Sequence, residues 1–217
     1  MRAERYAALG DPVRLAIVDA LVESDRAPVE LRRMLGLESN LLAHHLDTLE
    51  RVGLLSRTVS TGDGRRRYLH LERGALDALS FPVPGVTPPA TTPLFVCTRN
   101  SARSQLAAAL WRRRTGSPAT SAGTHPADRV HPGAVAAARR HRLDLGDATP
   151  RVLDARDDAA ALVITVCDRA HEDLDPGPGW RHWSLPDPVP VGTKAAFDAT
   201  VDELGERIDA LVGVRAS

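Results

Sequence analysis

The sequence predicts two domains: a winged helix-turn-helix unit, mainly α with a β-hairpin wing, then an α/β unit with a parallel sheet of about four strands. Three observations carry this. Residues 81–93 read FPVPGVTPPATTP, with five prolines, one glycine and no charge, a composition that keeps a chain extended and disfavours helix before each proline. Ahead of it, short segments of helical period precede two strand-like segments. Behind it, strands and helices alternate, as they do in parallel α/β sheets. The expected boundaries are 1–80 for the first domain, 81–93 for a Pro-rich linker and 94–217 for the second domain.

Composition narrows the function classes. The 217 residues include 28 basic and 28 acidic side chains. The balance also holds on each side of the linker, with 12 against 12 before it and 16 against 16 after it. Neutrality therefore gives no hint of nucleic acid, and only local clustering can. Hydrophobic residues at 43% and charged residues at 26% are globular proportions. Aromatics at 4% leave the core to Leu, Val, Ile and Ala. Two cysteines cannot build a disulfide scaffold. No apolar run approaches the roughly 18–20 residues that span a bilayer. Arg2, Glu4 and Arg5 have no apolar segment behind them, so no secretory signal is read and a reducing cytoplasm is expected.

In the first domain, Asp11 caps a helix with Pro12 at its first position, and Val13, Ile17, Val18 and Leu21 follow at helical spacing. A second helix runs from about Pro28 to Leu35 and stops at Gly36. Ser39 is expected to cap a third, in which Leu42, Leu46 and Leu49 form one face before Gly53 ends it. Ser56–Thr61 and Arg67–Leu71 read as strands, with Gly62-Asp63-Gly64 supplying the positive φ of a hairpin turn. Two helices joined across Gly36, then a hairpin with a basic tip, fit a winged helix-turn-helix. Its outward face offers Ser39, Asn40, Ala43, His44 and Asp47, and side chains such as Ser39, Asn40 and His44 can reach base edges in a major groove. Arg65, Arg66 and Arg67 would contact phosphate or the minor groove. His45 falls on the inward side, and Asp47 would repel phosphate. Three helices and a hairpin also fit a small domain with no nucleic-acid role, and the arginines then form a solvated loop.

The stretches ALGDPVRLAIVDAL, VELRRMLGLESNLLAHHLDTLERVGLLSR and GDGRRRYLHL resemble the winged helices of ArsR-like metalloregulatory repressors over residues 3–79. The resemblance implies a homodimer on a double-stranded DNA operator, with Ser39, Asn40 and His44 facing the groove and Arg65–Arg67 on the wing. One departure matters. Family members that sense soft metals do so through thiolates, and residues 1–96 contain no cysteine, so that mode of sensing is not expected here. No spacing argues for a His/carboxylate metal site.

In the second domain, Leu94-Phe95-Val96 reads as a strand and residues from about Ser104 to Arg114 as a helix. Ala119–Ser121, Ala161–Val166 and Arg181–Ser184 read as further strands, and His131–His141 and Phe197–Val212 as further helices. Parallel sheets place their sites at the carboxyl ends of the strands, and Cys97, Cys167 and Asp187 each fall just after a predicted strand. Cys-x5-Arg spacing alone is weak in so arginine-rich a chain. The context strengthens it, because a loop from a strand to a helix N-terminus turns successive N–H groups and the helix dipole onto an oxyanion. In that reading Thr98, Arg99, Asn100, Ser101 and Ala102 line the oxyanion, and Arg103 grips it with a bidentate fork. Cys97 lies beneath, where such a field favours a thiolate, and Ser104 donates to it. Asn100 suits a left-handed backbone position. Asp187, between Pro186 and Pro188, is the candidate acid for a departing oxygen, with Trp183 as a nearby apolar wall. The plain alternatives are a buried inert cysteine with an incidental arginine, and a simple Asp-Pro turn.

The motifs VCTRNSARSQ, SAGTHPADRVHPGAV, VITVCDRAHE and HWSLPDP resemble the low-molecular-weight protein tyrosine phosphatase fold, including its arsenate reductase branch, from about Pro93 to Val212. Gln105 and the runs Ser121–Thr124 and Thr165–Asp168 favour the reductase branch. The resemblance implies Cys97 as nucleophile, Arg103 and the loop amides as oxyanion cradle, Asp187 as acid and Cys167 as second redox cysteine. Thioredoxin-coupled members carry a third cysteine seven residues after the second, where this chain has Leu174. No bound cofactor is expected. Turnover then needs an external low-molecular-weight thiol or a glutaredoxin-like partner. His171, Glu172 and His182 are read as polar loop residues near the site. Three functions stay open: a regulator with a thiol-dependent arsenate reductase domain, a non-catalytic repressor sensing arsenate or a phosphate-like oxyanion, and a phosphatase.

Overall fold

The computed structural model describes residues 2–77, 79, 92–154, 157, 162–174, 176, 177 and 179–212. Residues 81–91 of the expected linker lie outside that set. The chain divides into two compact units, Met1–Ser60 with Gly64–Val83 and Thr61–Asp63 with Pro84–Ser217. Among the described residues no helix is long and apolar enough to cross a membrane.

The first unit contains α1 (Arg2–Leu9), α2 (Pro12–Glu23), α3 (Pro28–Leu35), α4 (Ser39–Arg51), β1 (Leu55–Val59), β2 (Arg67–Leu71) and α5 (Arg73–Asp77). Sequence periodicity did not reveal α1. Asp11 caps α2, its side chain accepting from the amides of Val13 and Arg14. Gly36 closes α3 with φ +63°, a conformation in which glycine carries no Cβ penalty. Ile17, Leu21, Leu31, Leu46, Leu49 and Leu69 form the core. Two local expectations are corrected. The N-cap of α4 is Glu38, without a side-chain cap bond, because the Ser39 hydroxyl instead accepts from Arg32 Nη1 at 3.0 Å. Neither Gly62 nor Gly64 has a positive φ: the strands are joined by a loop of seven residues, too long to need the tight primed turn.

The second unit contains β3 (Leu94–Cys97), α6 (Arg103–Thr115), β4 (Thr120–Gly123), α7 (Pro132–Arg140), β5 (Val163–Thr165), α8 (Asp168–Leu174), β6 (Arg181–His182), α9 (Pro188–Val191) and α10 (Lys194–Val212). Its four strands are ordered β4-β3-β5-β6, and each pairing is parallel. The first strand therefore lies inside the sheet, and the chain crosses from one side of it to the other. That arrangement opens a crevice at the carboxyl ends of β3 and β5. α6 is buried along its length from Arg103 to Trp111, as its run of alanines and leucines allows. Phe95 packs between Trp111 and Trp183, with ring centroids 6.2 and 6.0 Å away. Trp183 is thus a core residue, 1% exposed, and not an apolar wall lining the cleft.

α7 and α10 are joined by Asp198, which accepts from Arg140 Nε at 2.9 Å and pairs with Lys194 Nζ at 2.9 Å and His141 Nε2 at 3.1 Å. Hydrogen bonds from Arg140, then Lys194 and His141, hold this carboxyl far below its ordinary value of 3.8. A depressed carboxylate stabilises the fold above its unfolded pKa, and that contribution is lost as pH falls through the folded one. Asp198→Asn is therefore expected to lower Tm at pH 7. The gap from the parent should narrow as thermal scans are taken progressively below about pH 4.

Candidate active site

The loop from Cys97 to Arg103 leaves the carboxyl end of β3 and enters α6. Its shape follows from where its carbonyls go. Those of Cys97, Thr98, Arg99 and Ser101 accept from the amides of Thr124 (3.2 Å), His125 (2.8 Å), Ala127 (2.9 Å) and His131 (2.8 Å). The Asn100 carbonyl accepts from Gln105 Nε2 at 3.1 Å, and the Ala102 carbonyl from Leu106 N within the helix turn at 2.9 Å. With every carbonyl from 97 to 102 engaged, the amides face the opposite way. Thr98 N donates to Cys167 Sγ (3.2 Å) and Asn100 N to Cys97 Sγ (3.2 Å). The amides of Arg99, Ser101, Ala102 and Arg103 have no acceptor among the described residues, the condition for an anion nest.

Asn100 is the hub. It has φ +47°, is fully buried and satisfies its whole side chain. Nδ2 donates to Ser104 Oγ (2.8 Å) and Ser121 Oγ (3.0 Å), while Oδ1 accepts from Arg151 N (2.9 Å) and Gln105 Nε2 (3.2 Å). Gly123 lies against this turn, and a Cβ there would come within 2.8 Å of the Thr98 carbonyl oxygen and 2.9 Å of Asn100 Cβ. The loop and the segment after β4 fit only because that residue has no side chain.

Cys97 is 3% exposed, and its Sγ lies 3.1 Å from Ser104 Oγ. The Arg103 guanidinium donates to the Leu185 carbonyl at 2.9 Å and pairs with Asp187 Oδ2 at 2.9 Å. The other oxygen of Asp187 accepts from Val189 N at 3.1 Å, capping α9. Pro186 and Pro188 stiffen the backbone on either side. Cys97, Arg99, Ser101, Ala102, Arg103, Ala127, Arg129, His131, Pro132, Asp187 and Val189 line one cleft of about 440 Å³. Cys167 lies behind it. Its Sγ receives the Thr98 amide and lies 3.3 Å from the Thr98 hydroxyl. Burial above all, and then the neighbouring Cys97, push its thiol upward against the pull of Arg103. Leu174, in the place of a third cysteine, packs against the core.

His171, Glu172 and His182 are not loop residues. The first two lie on α8 and the third on β6. His182 Nε2 is 3.2 Å from Asp168 Oδ1, and its Nδ1 is 2.9 Å from Thr165 Oγ1. That hydroxyl is also 3.1 Å from His171 Nδ1, and the two imidazoles stack at 4.0 Å. Burial opposes charge on Asp168, but hydrogen bonds from His182 and Ser184 offset it and hold the carboxyl below its ordinary value. This network fixes the first turn of α8, next to Cys167. Sequence spacing gave no signal for it, because its members come from three elements. The amides of 124–131 were equally invisible, since main-chain donors leave no pattern in residue types.

Of the DNA-facing candidates, Ser39, Asn40 and His44 lie exposed on α4, with Ala43 and Asp47 beside them, and Arg65, Arg66 and Arg67 are exposed. Asp47 contacts Arg57 of β1. His45 is buried, 3.7 Å from Asp11.

The α/β unit thus combines a parallel sheet ordered β4-β3-β5-β6 with an amide nest over a cysteine and an arginine at the following helix start, an arrangement that can hold a tetrahedral oxyanion. The family profile described as low molecular weight phosphotyrosine protein phosphatase matches residues 93–216, and the chain belongs to that family. It is 36% identical over 122 residues to arsenate reductase 1 of Bacillus cereus, covering 52% of this chain and 88% of that protein. Similarity to an arsenate reductase of Bacillus licheniformis is 35% over 125 residues, covering 52% and 89%. The low molecular weight protein tyrosine phosphatase of T. tengcongensis shares the fold, with a TM-score of 0.51 at 22% identity over 56% of this chain and 97% of that one. The second unit is an enzyme domain of this family, and residues before 93 lie outside the family match.

The hub yields a graded expectation. Asn100→Gly keeps the left-handed backbone and loses the amide, whereas Asn100→Ala loses both. Phosphate affinity, read by calorimetry, should fall in both variants. Ala should be the weaker binder by roughly 5–30-fold more, the αL penalty of about 1–2 kcal/mol.

Proposed function

We propose that the protein is a DNA-binding regulator joined to an arsenate reductase domain that draws its electrons from an external thiol. The observation that carries the catalytic half is the loop whose carbonyls are all turned outward, leaving amides and Arg103 around Cys97. Similarity to named arsenate reductases supports arsenate as the oxyanion. So does the cleft wall, which among the described residues offers no Phe, Tyr or Trp on which an aryl phosphate could stack.

In this reading arsenate sits on the amides of Arg99, Ser101, Ala102 and Arg103 and draws the Arg103 guanidinium away from Asp187. Cys97 Sγ attacks arsenic, and Asp187 gives its proton to the departing oxygen, which leaves as water. An external thiol then attacks Cys97 Sγ. An S–S bond forms as the S–As bond breaks, and the electron pair stays on arsenic, so As(V) becomes As(III). A second thiol releases Cys97 as thiolate. The sum is arsenate plus two thiols giving arsenite, one disulfide and water. Cys167 is the intramolecular competitor for that attack. Its burial pushes the thiol upward, which keeps it protonated near neutrality.

Arsenite formation with glutathione, and with glutathione plus a glutaredoxin, is the test. Cys97→Ser should abolish it, and Cys167→Ser should keep it within a few-fold. Abolition by both would assign the attack to Cys167, and no turnover with either thiol system would leave oxyanion sensing or phosphatase activity, which hydrolysis of p-nitrophenyl phosphate distinguishes.

For the first unit, the exposed α4 face with Ser39, Asn40 and His44, together with Arg65–Arg67, supports reading of an operator by a homodimer in the reducing cytoplasm. The expected signature is electrostatic. Replacing Arg65, Arg66 and Arg67 by Gln should weaken binding to all duplexes alike. The slope of log K against log salt should become shallower by about one for each phosphate that is no longer neutralised. His44→Ala should instead relax sequence preference.

A further inference from the structure

We infer that Arg99 and Arg129 form a second anion subsite at the mouth of the cleft, and that it holds the carboxylate of the small thiol consumed in the reaction. The inference rests on the reductase reading above and names the class of its second substrate.

Cys97 is buried and faces the cleft. On the other side of the loop lies Cys167, itself 1% exposed. A thiol that attacks Cys97 Sγ must therefore enter through the cleft, and its carrier must rest against the cleft walls. At about 440 Å³ the cleft is of the size that encloses a molecule larger than a tetraoxyanion. Its walls are not apolar: beyond the nest they present Arg99, Arg129 and His131, with only Ala127, Pro132 and Val189 as hydrophobic surface.

The charges are uneven. Of the three lining arginines, Arg103 pairs with Asp187, the lining carboxylate. Neither Arg99 nor Arg129 has a side-chain partner among the described residues, and both are exposed. Asp128, between Ala127 and Arg129, is exposed and does not line the cleft. The two guanidiniums also spring from a single rigid wall, because Arg99 O accepts from Ala127 N and Ser101 O from His131 N. His131 adds a fixed donor. Its Nδ1 accepts from Gly133 N at 3.1 Å and its ring stacks on Phe197 at 5.3 Å, so the proton of the neutral ring is on Nε2. Two guanidiniums and an imidazole N–H on one wall recognise carboxylate geometry. A neutral carrier would leave that wall unanswered.

Glutathione and its diethyl ester carry the same thiol, with and without carboxylate charge, and they are the probes. Glutathione should show a KM at least ten-fold below that of the ester, and added salt should narrow the gap. In Arg99→Gln and in Arg129→Gln the ratio of the two KM values should fall toward one. A ratio near one in the parent, or a ratio that neither variant changes, overturns the subsite. Binding of S-methylglutathione to the phosphate-loaded protein, measured by calorimetry, reads the same subsite without chemistry. Binding that both variants weaken about ten-fold upholds the subsite even if no arsenite forms, in which case the reductase reading alone fails. Absence of binding to the parent protein overturns the subsite whatever the turnover.

Discussion

The site depends on one main-chain arrangement. Four amides from the segment after β4 take the carbonyls of Cys97, Thr98, Arg99 and Ser101. A peptide unit has its N–H opposite its C=O, so fixing the carbonyls outward fixes the amides inward. The helix start then adds its own unsatisfied N–H groups and dipole to the same point. The positive potential over Cys97 thus comes largely from backbone, which cannot swing away as a side chain can. Arg103 is the side-chain contribution, held by the Leu185 carbonyl and Asp187, and the proposed mechanism has it exchange Asp187 for the oxyanion.

That arrangement explains which residue types the site requires. Gly123 is needed because the two segments approach too closely for a Cβ. Asn100 is needed because its position combines a positive φ with four side-chain hydrogen bonds in a dry interior, and glycine could meet only the first demand. Gln105, one turn into α6, closes the same hub by bonding both oxygens of Asn100. These three do no chemistry in the proposed mechanism. They hold the nest at fixed geometry, so that binding an oxyanion costs little reorganisation.

Much of this was legible in the sequence, for identifiable reasons. Cys97, Arg103, Ser104 and Asn100 lie within eight residues of one strand-loop-helix junction, and local geometry alone brings them together. Asp187 was legible through its prolines, which mark a stiff turn after a strand. The Asp168–His182–Thr165–His171 network was not, since α8, β5 and β6 meet only through the parallel crossovers, and spacing along the chain carries no trace of that. The Ser39 cap and the tight hairpin turn failed for a different reason. Ser39 had a competing partner in Arg32, and the glycines at 62 and 64 sat in a loop long enough to make their freedom unnecessary.

The two cysteines show how the environment, and not the residue type, divides roles. Both follow parallel strands and both receive loop amides. Cys97 opens onto the cleft, beside Ser104 and under amides that have no other acceptor. Cys167 is sealed behind Thr98, where burial favours the neutral thiol. That burial pushes the Cys167 thiol upward, against the pull of Arg103. With Leu174 packed where a relay cysteine would be needed, a disulfide between Cys97 and Cys167 would have no internal route back to the reduced state. In the proposed reaction, reduction therefore comes from outside, through the arginine-lined mouth of the cleft.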